Sequence, residues 1–136
     1  MSGFRVHPLA CGLALLAPSL AAAQPPMTGA EFAAYVGTDT VTYQYSTGER
    51  GVADYAPDQS LIWTFEDGTC VNGNWFEDDD RICFAFDDPE MSACWYFFRY
   101  TAGIRADITD YSPHVEIHVI ARTSAPLPCA APNLGV

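Results

Sequence analysis

From Val41 to about Ala121 apolar residues recur at every second position, in short runs broken by clusters of Gly, Asp, Ser and Pro. A period of two places one side of each run against a core and the other in water, which is the signature of half-buried β-strands. The two ends of this region are the clearest. Val41, Tyr43 and Tyr45 alternate with Thr42, Gln44 and Ser46, while Val115, Ile117, Val119 and Ala121 alternate with His114, Glu116, His118 and Arg122. About eight short strands are predicted, near residues 41–46, 51–55, 60–66, 70–77, 82–87, 93–99, 104–109 and 115–121. The connections between them are of hairpin length and leave no room for helical crossovers, so the strands pair antiparallel in sequence order. Such a meander either folds into two layers or curls into a barrel that removes exposed edges. The expected fold is mainly β, a small lipocalin-like barrel.

Ahead of the strands, Thr28 is followed three residues later by Glu31, then by Phe32, Tyr35 and Val36, and the run stops at Gly37. That is a capping box opening one short N-terminal helix that a glycine ends. In the middle of the chain the alternation blurs: Cys83 to Phe86 and Cys94 to Phe98 carry large apolar groups on both faces. The outer face there needs a cover, expected from the N-terminal helix or the C-terminal tail, or else it is an exposed aromatic contact surface.

The N-terminus changes the picture of where this domain works. One Arg, Arg5, precedes an apolar stretch from Leu9 to Leu20, and Ala21-Ala22-Ala23 supplies the small residues of a signal-peptidase site. The stretch is about a dozen residues long, short of the roughly 20 that span a bilayer. The expectation is a signal peptide over residues 1–23 cleaved after Ala23, and a single β domain over 24–136 ending in a Pro-rich tail from about 124. The destination is periplasmic or secreted, with no stable membrane insertion after cleavage. Of 136 residues this leaves 113, enough for one modest core. The net charge of −11 falls to −12 without Arg5, on a chain with no Lys, which makes nucleic acid and anionic membranes poor partners.

Export also bears on the cysteines. Cys11 leaves with the signal, and Cys70, Cys83, Cys94 and Cys129 remain, an even set in an oxidising compartment. A symmetric hairpin between Phe86 and Ala93 sets Cys83 opposite Cys94, so these two are expected to bond, leaving Cys70 for Cys129. The preceding hairpin is expected to bring Trp75 opposite Cys83 on the same face, an indole beside the bridge.

Candidate chemistry is sparse. The acidic turns Glu77 to Asp80 and Asp87 to Glu90 lack the spacing of a calcium loop and lie at opposite ends of one strand. Asp67, Asp87, Asp88 and Glu90 fall at one end and form a weaker candidate. His114 and His118 lie roughly 13 Å apart on a strand, too far to chelate one ion by themselves. With His7 gone, no histidine, serine or free cysteine has a nucleophile's context, and there is no P-loop or dinucleotide glycine pattern. No enzyme, cofactor or metal is expected.

The elements D-G-x-C, G-x-W, I-C-F and C-W, carried by Asp67, Gly68, Cys70, Gly73, Trp75, Ile82, Cys83, Phe84, Cys94 and Trp95, resemble those of an uncharacterised family of short exported proteins of Gram-negative bacteria. The resemblance implies a fold and an export route and no catalysis. Most of these positions have a structural use: Asp67-Gly68 suits a two-residue turn with positive φ, Gly73 suits a bulge, and Trp75 and Trp95 fill core. The functional expectation is a binding module for a small apolar ligand or a protein partner, through a barrel end or an aromatic patch. The alternative is an inhibitor of a basic cell-wall hydrolase: the chain resembles bacterial lysozyme inhibitors in being small, exported, disulfide-bonded and β-rich, and its negative charge would steer it toward a cationic partner.

Overall fold

A computed structural model describes residues 1, 3–5, 12, 17–19, 22–108, 114–126 and 129. Most of the apolar stretch of the expected signal peptide and most of the Pro-rich tail lie outside these residues. The described chain is one helix followed by a closed antiparallel barrel: α1 (Gly29–Val36), then β1 (Thr40–Tyr45), β2 (Arg50–Tyr55), β3 (Ser60–Phe65), β4 (Cys70–Asp78), β5 (Arg81–Phe86), β6 (Ala93–Tyr100), β7 (Gly103–Ile108) and β8 (Val115–Thr123). Each strand pairs with the next, and β8 pairs back onto β1, so no edge is left open. One element had no counterpart in the sequence pattern, a turn of 3-10 helix (Pro89–Met91) whose start is capped by the Asp88 carboxylate.

Three of the turns share one construction. Tyr45, Phe65 and Ala56 each donate their N–H to the carbonyl four residues on, at Glu49, Thr69 and Ser60, enclosing three-residue loops. In each loop the third residue, Gly48, Gly68 or Gln59, takes positive φ. That is the hairpin in which a left-handed residue follows a tight turn. Asp67-Gly68 therefore belongs to the loop Glu66–Gly68 and not to a two-residue turn, and Asp67 earns its place by accepting the Thr69 N–H at 2.8 Å.

The interior faces carry Tyr43, Ala53, Tyr55, Leu61, Trp75, Ile82, Trp95, Phe97, Ile104, Ala106 and Ile117, all buried. Two of the inward positions are glycines for a steric reason. A Cβ at Gly51 would lie 1.8 Å from the Trp63 ring, and one at Gly73 would lie 2.5 Å from the Phe86 ring. Gly73 is paired in regular register with both Leu61 and Phe86, so it is a floor for an aromatic ring and not a bulge. The irregularity lies instead in β8, where Thr42 faces Ala121 and Tyr43 faces Val119, leaving Ile120 as the extra residue. The bulge reverses the faces beyond it: Ala121 is exposed, against the expected alternation, and Arg122 turns to the side of Val41.

α1 does not cover the outer wall as expected; it enters one end of the barrel. The capping box is formed, with Glu31 N–H on Thr28 Oγ1 and Thr28 N–H on the Glu31 carboxylate. Phe32 is fully buried and meets Trp75, Phe97, Tyr55 and Phe84 at ring-centroid distances of 4.8 to 6.1 Å. Inserting Phe32, Val36 and Met27 into a barrel end buries them from all sides, which an outer wall cannot do. Arg122 straps the helix down: its guanidinium lies 4.6 Å from the Tyr35 ring centre, donates to the Tyr35 carbonyl at 2.7 Å and pairs with Asp39 at 3.2 Å.

Two disulfides are present, Cys83–Cys94 between directly opposed residues of β5 and β6, and Cys70–Cys129 across 59 residues of sequence. Trp75 is not beside the first. It pairs with Phe84, and Phe76 is the residue opposite Cys83, because β4 and β5 join through the two-residue turn Asp79-Asp80. That register puts Trp75 inside and the bridge outside, one residue away from the expected face. On the outer wall Phe98 lies under the Arg105 guanidinium at 5.3 Å, while Phe76 remains exposed.

Candidate functional site

The end opposite α1 is not plugged. Strand direction brings the turns after β1, β3 and β5 to this mouth, and the last inward residues of the strands are Tyr45, Phe65, Phe86 and their neighbours Trp63 and Trp95. They enclose a cavity of about 210 Å³. Tyr43, Phe84 and Phe97 form its floor, and Met91, delivered by the 3-10 turn, stands at its rim. An engineered apolar cavity of ~150 Å³ stays dry and accepts benzene, so this space suits one ring or a short alkyl chain. A larger hollow of about 530 Å³ lies between α1 and the turn at residues 56–59. Gly29, Ala30 and Ala33 line one side of it, and Trp75 and Glu77 lie on its wall as well.

The cavity walls are rings held edge to face. Tyr45 meets Trp63 at 6.5 Å and 82°, and Trp95 at 6.3 Å and 65°; Trp63 meets Phe65 at 6.4 Å and 76°. These are the preferred geometries of aromatic pairs, and they leave ring faces turned to the cavity with few rotamers to lose on binding. Trp63 is placed by its backbone neighbour: its indole lies across Gly51 and stacks on Tyr43 at 5.9 Å. Phe65 remains 36% exposed at the entrance. At the floor the hydroxyls of Tyr43 and Tyr55 lie 2.8 Å apart and satisfy one another in a buried site. Burial pushes both phenols well above their usual range, Tyr43 despite its hydrogen bond with Tyr55.

The rim has the opposite character. Glu49, Glu66 and Asp67, with Arg50, line a hollow that shares Tyr45, Trp63 and Phe65 with the cavity. Asp87, Asp88 and Glu90 flank Met91 on the far side. Their field reaches inward, since the Tyr45 phenol is raised by burial first and by Glu49 second. No three of Asp67, Asp87, Asp88 and Glu90 come within ligating distance of one another. They surround an apolar opening without forming a cation cage of their own.

A second cluster lies on the outer wall between β7 and β8. Asp107 and Glu116 are direct cross-strand partners, as are Arg105 and His118. Arg105 spans the two carboxylates, 3.9 Å from Asp107 Oδ2 and 3.7 Å from Glu116 Oε2. His118 Nε2 contacts Glu116 Oε1, and His114 Nε2 lies 3.8 Å from Asp107 Oδ1. Asp107 Oδ1 is buried without a hydrogen-bond partner. Loss of solvent pushes the Asp107 carboxyl up, against the pull of Arg105.

Of the expected residues, Trp95 lines the cavity, Gly73 shapes it through Phe86, and Asp67 and Gly68 form a rim turn, while Trp75 belongs to the plugged end. The sequence reading did not single out Tyr45, Trp63, Phe65, Phe86 or Met91. Their signal was the pairing of aromatic residues two apart at strand ends, Tyr43 with Tyr45, Trp63 with Phe65 and Phe84 with Phe86. No family model, no curated protein and no solved structure matches this chain. The function is therefore argued from the site.

Proposed function

We propose that the protein is a non-enzymatic, exported binding module that takes a small apolar ligand into the aromatic mouth of its barrel, in the periplasm or outside the cell. The observation that carries this reading is the open cavity of about 210 Å³ walled by Tyr45, Trp63, Phe86 and Trp95, in a barrel whose other end takes Phe32, Val36 and Met27 into its lumen. A barrel stabilised only for itself gains by filling such a space with side chains, because an unfilled apolar cavity costs about 20–25 cal/mol per Å³ in lost contacts. Here the Trp63 and Phe86 rings lie against glycines at 51 and 73, and the wall at 93 is only an alanine. The disulfides are compatible with an oxidising compartment, and among the described residues no helix is long and apolar enough to cross a membrane.

The test uses the tryptophans already in place. Titration with toluene, indole, n-octanol and n-octylamine is expected to give a saturable change in fluorescence from Trp63 and Trp95 with at least one of them. Ala93→Leu, which extends a side chain into the cavity, is expected to abolish it without loss of fold. No saturable response and no thermal shift with any of the four removes the small-ligand reading.

The acidic rim and exposed Phe65 favour a second reading, a docking face for a basic protein such as a cell-wall hydrolase. Inhibition of lysozyme at micromolar protein and low salt supports it, and unchanged lysozyme activity rules out that target.

A further inference from the structure

The outer-wall cluster has no use in ligand binding at the mouth, and its geometry is not that of an ordinary surface ion-pair ladder. Two carboxylates placed directly opposite one another on neighbouring strands repel, and such pairs are avoided unless a cation lies between them. Arg105 supplies one charge to both, at 3.7 and 3.9 Å, from the side of their Oδ2 and Oε2 atoms. Asp107 Oδ1 is left buried with no hydrogen-bond partner. His114 Nε2 stands 3.8 Å away, and its side chain is half exposed, open to an ion arriving from solvent.

We propose that Asp107, His114 and Glu116 form a divalent-metal site of the zinc type on the outer wall of β7 and β8. One donor atom from each of the three lies within 4.8 Å of the other two. Zinc binds imidazole nitrogen and carboxylate oxygen at about 2.0–2.2 Å, so tetrahedral donors sit about 3.3 Å apart, and side-chain movements of less than an ångström close the site. The backbone suits it. His114 and Glu116 are two apart and share one face at the start of β8, and Asp107 is the cross-strand partner of Glu116. Three donors on two strands leave a fourth position for water.

The surroundings complete the arrangement. Glu116 is oriented by His118 Nε2, and His118 Nδ1 in turn lies 3.4 Å from the Tyr100 hydroxyl. Metal-ligating groups are held in this way by outer hydrogen bonds that fix their orientation. With neutral imidazoles the cluster of Arg105, Asp107 and Glu116 carries one net negative charge, which a divalent ion converts to one positive. His118 is thus a positioning residue and not a ligand. The partner His114 meets is Asp107, on the neighbouring strand.

The experiment uses untagged protein dialysed against a chelator and titrated with ZnCl2 by calorimetry and thermal shift, and separately with CoCl2 by visible absorption. One zinc per chain, a raised Tm and the visible bands of four-coordinate cobalt are expected. Asp107→Asn and His114→Ala are each expected to weaken zinc at least tenfold, and His118→Gln about tenfold through Glu116. Far-UV circular dichroism of the variants separates loss of the site from loss of fold, and the near-isosteric Asp107→Asn guards against misfolding. Absence of zinc heat, absence of the cobalt bands, or equal affinity in wild type, Asp107→Asn and His114→Ala overturns the assignment.

Discussion

The two ends of this barrel are built from the same residue types and reach opposite states. At one end Phe32 and Val36 from α1 and Met27 before it fill the lumen, and Trp75, Tyr55, Phe84 and Phe97 close around Phe32. At the other, Tyr45, Trp63, Phe65, Phe86 and Trp95 ring a space that nothing among the described residues enters. Aromatic content therefore does not decide whether a barrel is filled. What decides it is whether an element is available to plug the end, and whether small residues sit beneath the rings. The rigid end fixes the floor from which the open end works, since Phe84 and Phe97 touch Phe32 on one side and the cavity on the other.

The largest expected effect attacks that contrast directly. Phe32→Ala removes a fully buried ring and is expected to cost about 3–5 kcal/mol in guanidinium unfolding. Trp63→Ala removes a larger side chain from the open end, where one face already meets a cavity, and is expected to cost only about 1–2 kcal/mol. Equal losses would show that the mouth is as much a part of the core as the plug, and the division between the ends would fall.

The Tyr43–Tyr55 pair sits at the boundary between them, and its expected effects are next in size. Tyr43→Phe leaves the buried Tyr55 hydroxyl without its partner at 2.8 Å, a loss of about 1–3 kcal/mol. The double replacement Tyr43→Phe with Tyr55→Phe removes both polar groups and is expected to recover most of it. The pair also sets a pH limit. Both phenols have folded pKa values raised by burial above the unfolded value of 10.0, so the unfolded chain loses protons first. Their contribution is fully present below pH 10.0 and is lost as the pH rises beyond it. Urea midpoints that fall above that pH in the wild type, and fall less in the double variant, confirm the assignment; identical alkaline profiles refute it.

The legibility of these features in the sequence followed their range. Strand positions, hairpin order and the helix with its capping box are local matters of alternation and turn chemistry; short connections led to the antiparallel meander, and the removal of exposed edges favoured a barrel over two layers. Cys83 opposite Cys94 was readable because it depends on a single hairpin. Trp75 was misplaced because a one-residue change in turn length moves every side chain to the other face, and Asp79 takes the positive φ that the tight turn requires without being glycine. Ala121 was misplaced by a bulge that leaves no mark in the alternation. The plug, the cavity and the meeting of Asp107 with His114 depend on closure of the barrel, which no single hairpin encodes.

The smallest expected effect concerns charge at the open end. Glu49, Glu66 and Asp67 edge the aromatic opening with Arg50 as their only cationic neighbour in that hollow, and the ring faces of Tyr45, Trp63 and Trp95 carry negative quadrupoles. A guest that buries an alkyl chain and leaves an ammonium at the rim gains from both. At the plugged end, by contrast, Arg99 and Arg122 lie over the Tyr35 ring. In a matched pair, n-octylamine is expected to bind severalfold more tightly than n-octanol at low salt, consistent with the ~0.2–1 kcal/mol of each exposed charge contact. Raising ionic strength to 1 M, where the Debye length is ~3 Å, is expected to erase most of the difference. Glu49→Gln combined with Glu66→Gln is expected to reduce it while leaving n-octanol unaffected. A preference for the amine that survives both changes would place its origin in the ring faces, and no preference at all would reduce the acidic rim to solubility.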